Sequence, residues 1–221
     1  MKHIDFHTHI LPRADHGSDS VETSLKQIEL SRTAGIEVIV ATPHFYPHRH
    51  ALDKFLSRRS LAAAEIKKHS DSNVIIGAEI LLCDSLDKLT NLESLCIENT
   101  RTLLIELPFW DFRQEYITTV DKLIGYGYSV VLAHADRYPK DNIEKLVNLG
   151  AKIQLNASAL SKFFVKRHLY EWIDRGLVVA IGSDIHMADK CAYKKFAKAR
   201  KRLGEEFDKI MLESEKILFS K

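Results

Sequence analysis

SVVLAHADRYPKDNIEKLVNLGAKIQLN, residues 129–156, decides the fold. A short apolar run (SVVLAH, 129–134) leads to a stretch of helical period (141–149), a glycine (Gly150) and a second apolar run (KIQLN, 152–156). That is the pattern of a βαβ unit on a parallel sheet. It recurs outward in both directions. Upstream lie HIDFH (3–7), EVIVAT (37–42), NVIIGAE (73–79) and TLLIEL (102–107), and downstream VVAIGSD (178–184). Helical readings fall at 20–34, 51–69, 85–90, 113–126, 158–175, 188–202 and 205–219. In the first, Ser18 or Ser20 can cap the start, Val21, Leu25 and Ile28 share a face, and Gly35 can close the end. Gly127, Gly150 and Gly176 precede strands in the same manner. Seven βα units without a linker or internal repeat predict one domain over 1–221, an α/β fold of distorted (β/α)7 barrel type, with an open doubly wound sheet as the second reading.

Composition narrows the partners. The chain has 221 residues, and 32 basic against 30 acidic side chains leave a formal charge of +2, too balanced to suggest nucleic acid. Three cysteines, Cys83, Cys96 and Cys191, form no CxxC pair and suit a reducing compartment. The N-terminus MKHIDFHTH has no apolar run of signal-peptide length and no later run is long enough to span a bilayer. We therefore expect a cytoplasmic protein without direct membrane insertion.

In such a barrel the active site lies at the C-terminal ends of the strands. His7 and His9 close the first strand, His44 follows the second in ATPH, and Glu79 ends the third. Glu106 ends the fourth, His134 the fifth, and Asp184 and His186 follow the seventh. The sixth offers no strong ligand, closing with Asn156 and Ser158. Gathering three carboxylates and several imidazoles without a cation would cost several kcal/mol per unpaired charge. No matching set of Arg or Lys closes these strands. Residues i and i+2 of a strand share a face, so H-x-H at 7–9 and D-x-H at 184–186 can each direct two groups at one ion. Imidazole with carboxylate suits Mn, Zn, Fe or Co, and the number of ligands exceeds one tetrahedral site. Two or three ions are expected, with a carboxylate such as Glu79 bridging, and phosphate-ester hydrolysis follows as the chemistry.

HTHILP, ATPH, GAEI, LIELPF, LAHADRY and IGSDIH, in this order, resemble the polymerase and histidinol phosphatase (PHP) superfamily over nearly the whole chain. They look most like its capsule-biosynthesis branch of manganese-dependent protein-tyrosine phosphatases. The resemblance implies a distorted seven-stranded barrel with a trinuclear site. It places His7, His9, Glu79 and Asp184 on one ion, and Glu79 with Glu106 and His134 on a second. His44 and His186 fall on a third, whose remaining ligand position is commonly Asp; here Asp15-His16-Gly17 puts His16 there, with Asp15 as the alternative. Arg137, in HADR, matches the arginine that follows the fifth-strand histidine and is expected to bind phosphate. The chain departs from the branch at Leu81, and at Lys190 and Cys191, where arginines are usual. His48 is expected near the leaving group, and His50 and Tyr46, with Trp110, beside the substrate.

The implied reaction is hydrolysis of phosphotyrosine on the tyrosine autokinase of capsular or exopolysaccharide biosynthesis, through a metal-bridging hydroxide. A cysteine route is absent, because the sixth residues after Cys83, Cys96 and Cys191 are Leu89, Thr102 and Ala197, so no C-x5-R occurs. Two other readings stand beside it: a histidinol-phosphate or sugar-phosphate phosphatase using the same metals, and a non-catalytic module that binds a phosphorylated tail.

Overall fold

The structure, a computed structural model, describes residues 1–220. Its frame is a set of parallel strands that neighbour one another in chain order. Strand β1 is Ile4–Thr8. Strand β2 comes in two segments, Val38–Ala41 and His44–Phe45, and β3 in two more, Val74–Ile76 and Glu79–Leu81. Then follow β4 (Thr102–Glu106), β5 (Ser129–Leu132), β6 (Lys152–Asn156) and β7 (Val178–Gly182). The β2 and β3 segments keep one register, since Ala41 pairs with Ile76 and His44 with Glu79. Backbone bonds from Gly77 N to Ala41 O (2.8 Å) and Glu79 N to Pro43 O (3.1 Å) carry the ladder across the break. A continuous strand was expected over 73–79, and the second strand was expected to end at Thr42, short of His44-Phe45. Pro43, which has no N–H to donate, and the Gly77-Ala78 step opposite it interrupt both without shifting either.

The sheet returns to its first strand. Asp184 N donates to His7 O (2.9 Å), His9 N donates to Ile185 O (3.0 Å), and Thr8 and Ile185 form a parallel bridge. This seam brings the last strand back beside the first, as in a distorted seven-stranded barrel, and the sequential strand order is not that of a doubly wound sheet. The seam has no room for a side chain at Gly182, where a Cβ would lie 2.5 Å from His7 Cβ and 2.9 Å from Gln154 Nε2.

Helices α1 (Val21–Thr33), α2 (Leu52–His69), α3 (Gln114–Gly125) and α4 (Lys140–Val147) alternate with the strands. Next come α5 (Ala157–Leu160), α6 (Arg167–Asp174), α7 (Lys190–Leu203) and α8 (Glu205–Phe219). Ser20 caps α1 by accepting from Thr23 N, and Gly35 takes the left-handed φ of +81° that ends it. The buried face of α1 is Ser24, Gln27, Ile28 and Ser31, shifted from the Val21-Leu25-Ile28 face expected. Its serines satisfy themselves locally: Ser24 Oγ meets Ser18 Oγ at 2.7 Å and Ser31 Oγ donates to Ile28 O. The helix expected over 158–175 is two helices. Breaking it lets α5 bury Ala159 and Leu160 while α6 independently buries Leu169, Trp172 and Ile173. The segment 85–90 holds only a 3-10 turn, Leu86–Lys88.

Candidate metal centre

Three ligand atoms converge inside the C-terminal mouth of the barrel, and a fourth lies beside two of them. His7 Nε2 and His9 Nε2 are 3.1 Å apart, and each lies 3.3 Å from Glu79 Oε2. Asp184 Oδ1 is 3.3 Å from His9 Nε2 and 3.7 Å from His7 Nε2. Bonds of about 2.0–2.2 Å to one tetrahedral ion put ligand atoms about 3.3–3.6 Å apart, so the spacing fits. The tautomers fit too. His7 Nδ1 bonds Gln154 Oε1 (3.1 Å) and His9 Nδ1 bonds Asp15 Oδ2 (2.7 Å), so each ring donates outward and turns its Nε2 lone pair inward. Two lone pairs and two carboxylate oxygens facing one another repel unless a proton or a cation sits among them.

The carboxylates say the same. Glu79 is fully buried, and its Oε2 accepts no well-aligned hydrogen bond although His44 Nδ1 lies 2.8 Å away. Its other oxygen, Oε1, is 2.7 Å from His134 Nε2, which lies 3.5 Å from Glu106 Oε1. Glu79 therefore faces two ligand groups, one through each oxygen. Burial, followed by the negative charge of Glu79, pushes the Glu106 carboxyl up to about 8. Burial would lower His7 and His9, but the surrounding carboxylates outweigh it and raise both. The protein alone thus collects protons where divalent cations would restore the ionised carboxylates and the neutral rings.

A third group is all imidazole. His16 stacks on His44 with centroids 4.6 Å apart and an interplanar angle of 10°, and lies 4.8 Å from His186. Burial, then the nearby imidazoles, holds His16 and His186 down, His186 to about 4, which favours the neutral rings that ligate metals. His9, His44 and His186 each offer a ring nitrogen within 4.8 Å of the others. His16 is gathered beside this set, its ring face rather than its nitrogen edge turned to His44. Asp15 spends both oxygens elsewhere: Oδ2 accepts from His9 Nδ1 and His44 N, and Oδ1 from Gly17 N. Burial raises its carboxyl, but the hydrogen bond and charge of His9, with the His44 and Gly17 N–H groups, together outweigh it and hold it low.

Two centre residues, His134 (φ 33°) and Asp184 (φ 55°), adopt left-handed backbone that non-glycine residues avoid. Asp184 Oδ2 also pairs with Arg137 Nη2 and accepts from Asn156 Nδ2 (3.2 Å). Beyond Arg137 opens a cleft of ≈ 260 Å³ lined by Asn156, Ser158, Ser183, His186, Met187 and Lys195 among others. Around the mouth, Tyr46 stacks on His44 (5.3 Å, 20°) and its phenol is pushed up to about 12 by burial, then by Glu106. His48 is exposed, whereas His50 turns inward, its Nδ1 accepting from Tyr46 N (3.2 Å) and its ring parallel to Phe55. Trp110 is 80% exposed on the loop after β4, packed edge-on against Phe109.

Gln154 is the residue the sequence reading passed over. It is fully buried, its Oε1 accepts from His7 Nδ1 and His134 N (2.6 Å), and its Nε2 donates to Asn156 Oδ1 (3.0 Å). Through Asn156 it reaches Asp184, so one amide pair links three residues of the centre. Its signal is a glutamine between Ile153 and Leu155 at the centre of a buried strand.

A family profile described as capsular polysaccharide synthesis, CpsB/CapC, matches residues 3–219. The chain is similar to the tyrosine-protein phosphatase CpsB of Streptococcus agalactiae serotype V, 28% identical over 207 residues that cover 84% of each chain. It is also similar to the tyrosine-protein phosphatase YwqE of Bacillus subtilis, 27% identical over 203 residues, covering 83% of this chain and 77% of that one. In fold it resembles a solved structure from a study of YwqE and Streptococcus pneumoniae CpsB, described as metal-dependent tyrosine phosphatases (TM-score 0.78, 23% identity, 97% and 94% covered). The histidinol phosphate phosphatase of Lactococcus lactis shares the fold more distantly (TM-score 0.55, 15% identity, 92% and 94% covered).

Proposed function

Because this chain belongs to the CpsB/CapC family of capsular polysaccharide synthesis, we propose that it is a metal-dependent hydrolase of phosphotyrosine in proteins. The observation that carries the reading is the convergence of His7, His9 and Glu79 on one point, with Asp184 Oδ1 beside both rings and the second oxygen of Glu79 on His134. His7, His9, Glu79 and Asp184 would hold one ion; Glu79, Glu106 and His134 a second; His16, His44 and His186 a third. Mn is the metal we expect, with Zn, Fe and Co as the other donors' match. When bound, such ions activate water at neutral pH and neutralise charge on the phosphoryl oxygens.

The chain's own residues do the rest. Arg137 uses one amino group on Asp184 and borders the cleft, so its remaining N–H groups can fork onto two equatorial phosphate oxygens. Asp184 thereby aims the guanidinium as well as serving the centre. A phenolate leaving group, with a conjugate acid near pKa of about 10, needs little proton assistance. His48, exposed on the rim, then contributes no more than contact with the leaving side, and Tyr46 supplies an aromatic wall next to His44. The substrate we expect is the phosphorylated tail of the tyrosine autokinase that drives capsular or exopolysaccharide synthesis, met in the cytoplasm.

The test is a phosphatase assay after metal removal and reconstitution with Mn, Zn, Co or Fe. The panel holds a tyrosine-phosphorylated kinase-tail peptide, a phosphoserine peptide and histidinol phosphate. Metal-dependent turnover preferring the phosphotyrosine peptide is expected. Preference for histidinol phosphate would overturn the substrate, and no turnover with any metal would leave a binding module.

A further inference from the structure

One face beside the centre is charged and apolar in a way that phosphotyrosine hydrolysis does not use. The loop between α5 and α6 reads Lys162-Phe163-Phe164-Val165-Lys166-Arg167. Phe163 and Phe164 are 86% and 84% exposed and pack only edge-on against each other, with centroids 4.7 Å apart. The loop is not slack. Arg202 of α7 donates to Leu160 O (3.3 Å) and to Lys162 O, and Lys166 Nζ donates to Asp136 O (2.9 Å). Two aromatic rings are thus held out in water at a fixed place.

The helix that anchors them is cationic. Helix α7, KCAYKKFAKARKRL, has seven basic residues and no acidic one, in a chain whose total charge is only +2. Tyr193, Phe196, Ala199 and Leu203 are buried, so Lys190, Lys194, Lys198 and Lys201, at i, i+4, i+8 and i+11, share the opposite, exposed face. Among the described residues the ion-paired lysines are Lys122, Lys140, Lys209 and Lys216, none of them on α7. Nearby acids are few: Asp189 caps the start of α7 by accepting from Cys191 N, Arg167 pairs with Glu171 (3.3 Å), and Glu205, Glu206 and Asp208 begin α8, past the C-terminal end of α7. The N-terminal end of α7 starts at the barrel mouth, where Lys195 and the 72% exposed Met187 line the cleft by Arg137.

We propose that this face docks on an anionic lipid bilayer, Phe163 and Phe164 entering the interface and the α7 lysines meeting the headgroups, so that the metal centre opens toward the membrane surface. A fluid anionic interface fits better than an acidic peptide because the rings project from the surface. Projecting aromatics flanked by cations suit the headgroup and acyl boundary. No helix among the described residues is long and apolar enough to cross a membrane, and docking of this kind needs none. It departs from the expectation of no direct membrane insertion only in that Phe163 and Phe164 enter the interface.

The experiment is co-sedimentation of the full chain with vesicles of phosphatidylcholine alone or mixed with phosphatidylglycerol, at low and high salt. Wild type should bind the mixed vesicles, ignore the neutral ones and dissociate in salt. Phe163→Ser/Phe164→Ser should weaken partitioning more than tenfold. Lys194→Glu/Lys198→Glu should weaken it at least about 25-fold, each lysine near such a surface being worth about fivefold. Both variants should keep wild-type turnover of a small soluble phosphotyrosine substrate, which also reports that they fold. Wild type that stays in the supernatant with anionic vesicles at low salt overturns the proposal, as does binding that both pairs of substitutions leave intact. Capture by polyglutamate without vesicle binding likewise overturns it in favour of a peptide dock.

Discussion

At the scale of single residues, the groups that orient the ligands make the sharpest tests. Gln154 fixes His7 in the tautomer that turns Nε2 inward and holds the strained His134 backbone through its N–H. Gln154→Leu keeps most of the volume and removes the acceptor. Metal affinity, read as metal retained against a graded chelator, should fall about 10–100-fold, the usual cost of losing such a partner, while Gln154→Glu should recover part of it. Retention equal to wild type would mean His7 orients itself. Arg137 separates binding of substrate from binding of metal. Arg137→Ala should lower kcat/KM on a phosphotyrosine peptide by roughly 100-fold, with bound metal per chain unchanged. Loss of metal alongside activity would make the guanidinium a support for Asp184 instead of a phosphate clamp.

At the scale of elements, what was legible in the sequence was what a strand end must announce. His7, His9, Glu79, His134 and Asp184 are polar groups closing apolar runs, and the parallel barrel brings such ends together whatever the loops do. Less legible was anything decided by packing between distant segments. The breaks in β2 and β3 depend on Pro43 lying opposite Gly77-Ala78, and the turn of α1 toward Ser24 and Ser31 depends on a local serine network. The contact between α4 and α6 belongs to this second kind. Glu144 of α4 accepts from the indole of the fully buried Trp172 (2.7 Å) and pairs with Arg175 (2.8 Å) just past the end of α6. Burial raises the Glu144 carboxyl, but Arg175 and Trp172 outweigh it and hold it below its ordinary 4.5. A carboxyl lowered on folding adds stability above its unfolded value, and that stability is lost as pH falls through the lower folded one. Glu144→Leu, which also orphans the indole N–H, should therefore cost about 1–3 kcal/mol near neutral pH. Denaturant titrations should show the gap from wild type narrowing below about pH 4.5, retaining only the orphaned-indole part; a pH-independent gap would assign the whole effect to the indole.

At the scale of the whole molecule, the centre draws on every strand end but that of β6, which supplies Gln154 and Asn156 behind it. The proposed ligands run in sequence from His7 to His186, so filling the centre would tie the first strand, the last strand and the loop between β1 and α1 to one point. A ligand that binds only the folded chain stabilises it by RT ln(1 + [L]/Kd), about 2.7 kcal/mol at a hundredfold excess over Kd. For a domain of this length that corresponds to a rise in Tm of about 5–10 °C. Chelation should thus lower Tm by that amount and abolish turnover together, and Mn should restore both. Thiol alkylation should do neither, because Cys83, Cys96 and Cys191 are free and none contributes to the ligand groups. The pairing of these two treatments is informative because each can fail separately. A chelator that stops turnover without moving Tm would show the strands pre-assembled by Gln154, Asn156 and Asp15 alone, with the ions adding charge but no cohesion. An alkylating agent that stops turnover while Tm and metal content hold would move the chemistry to a thiol.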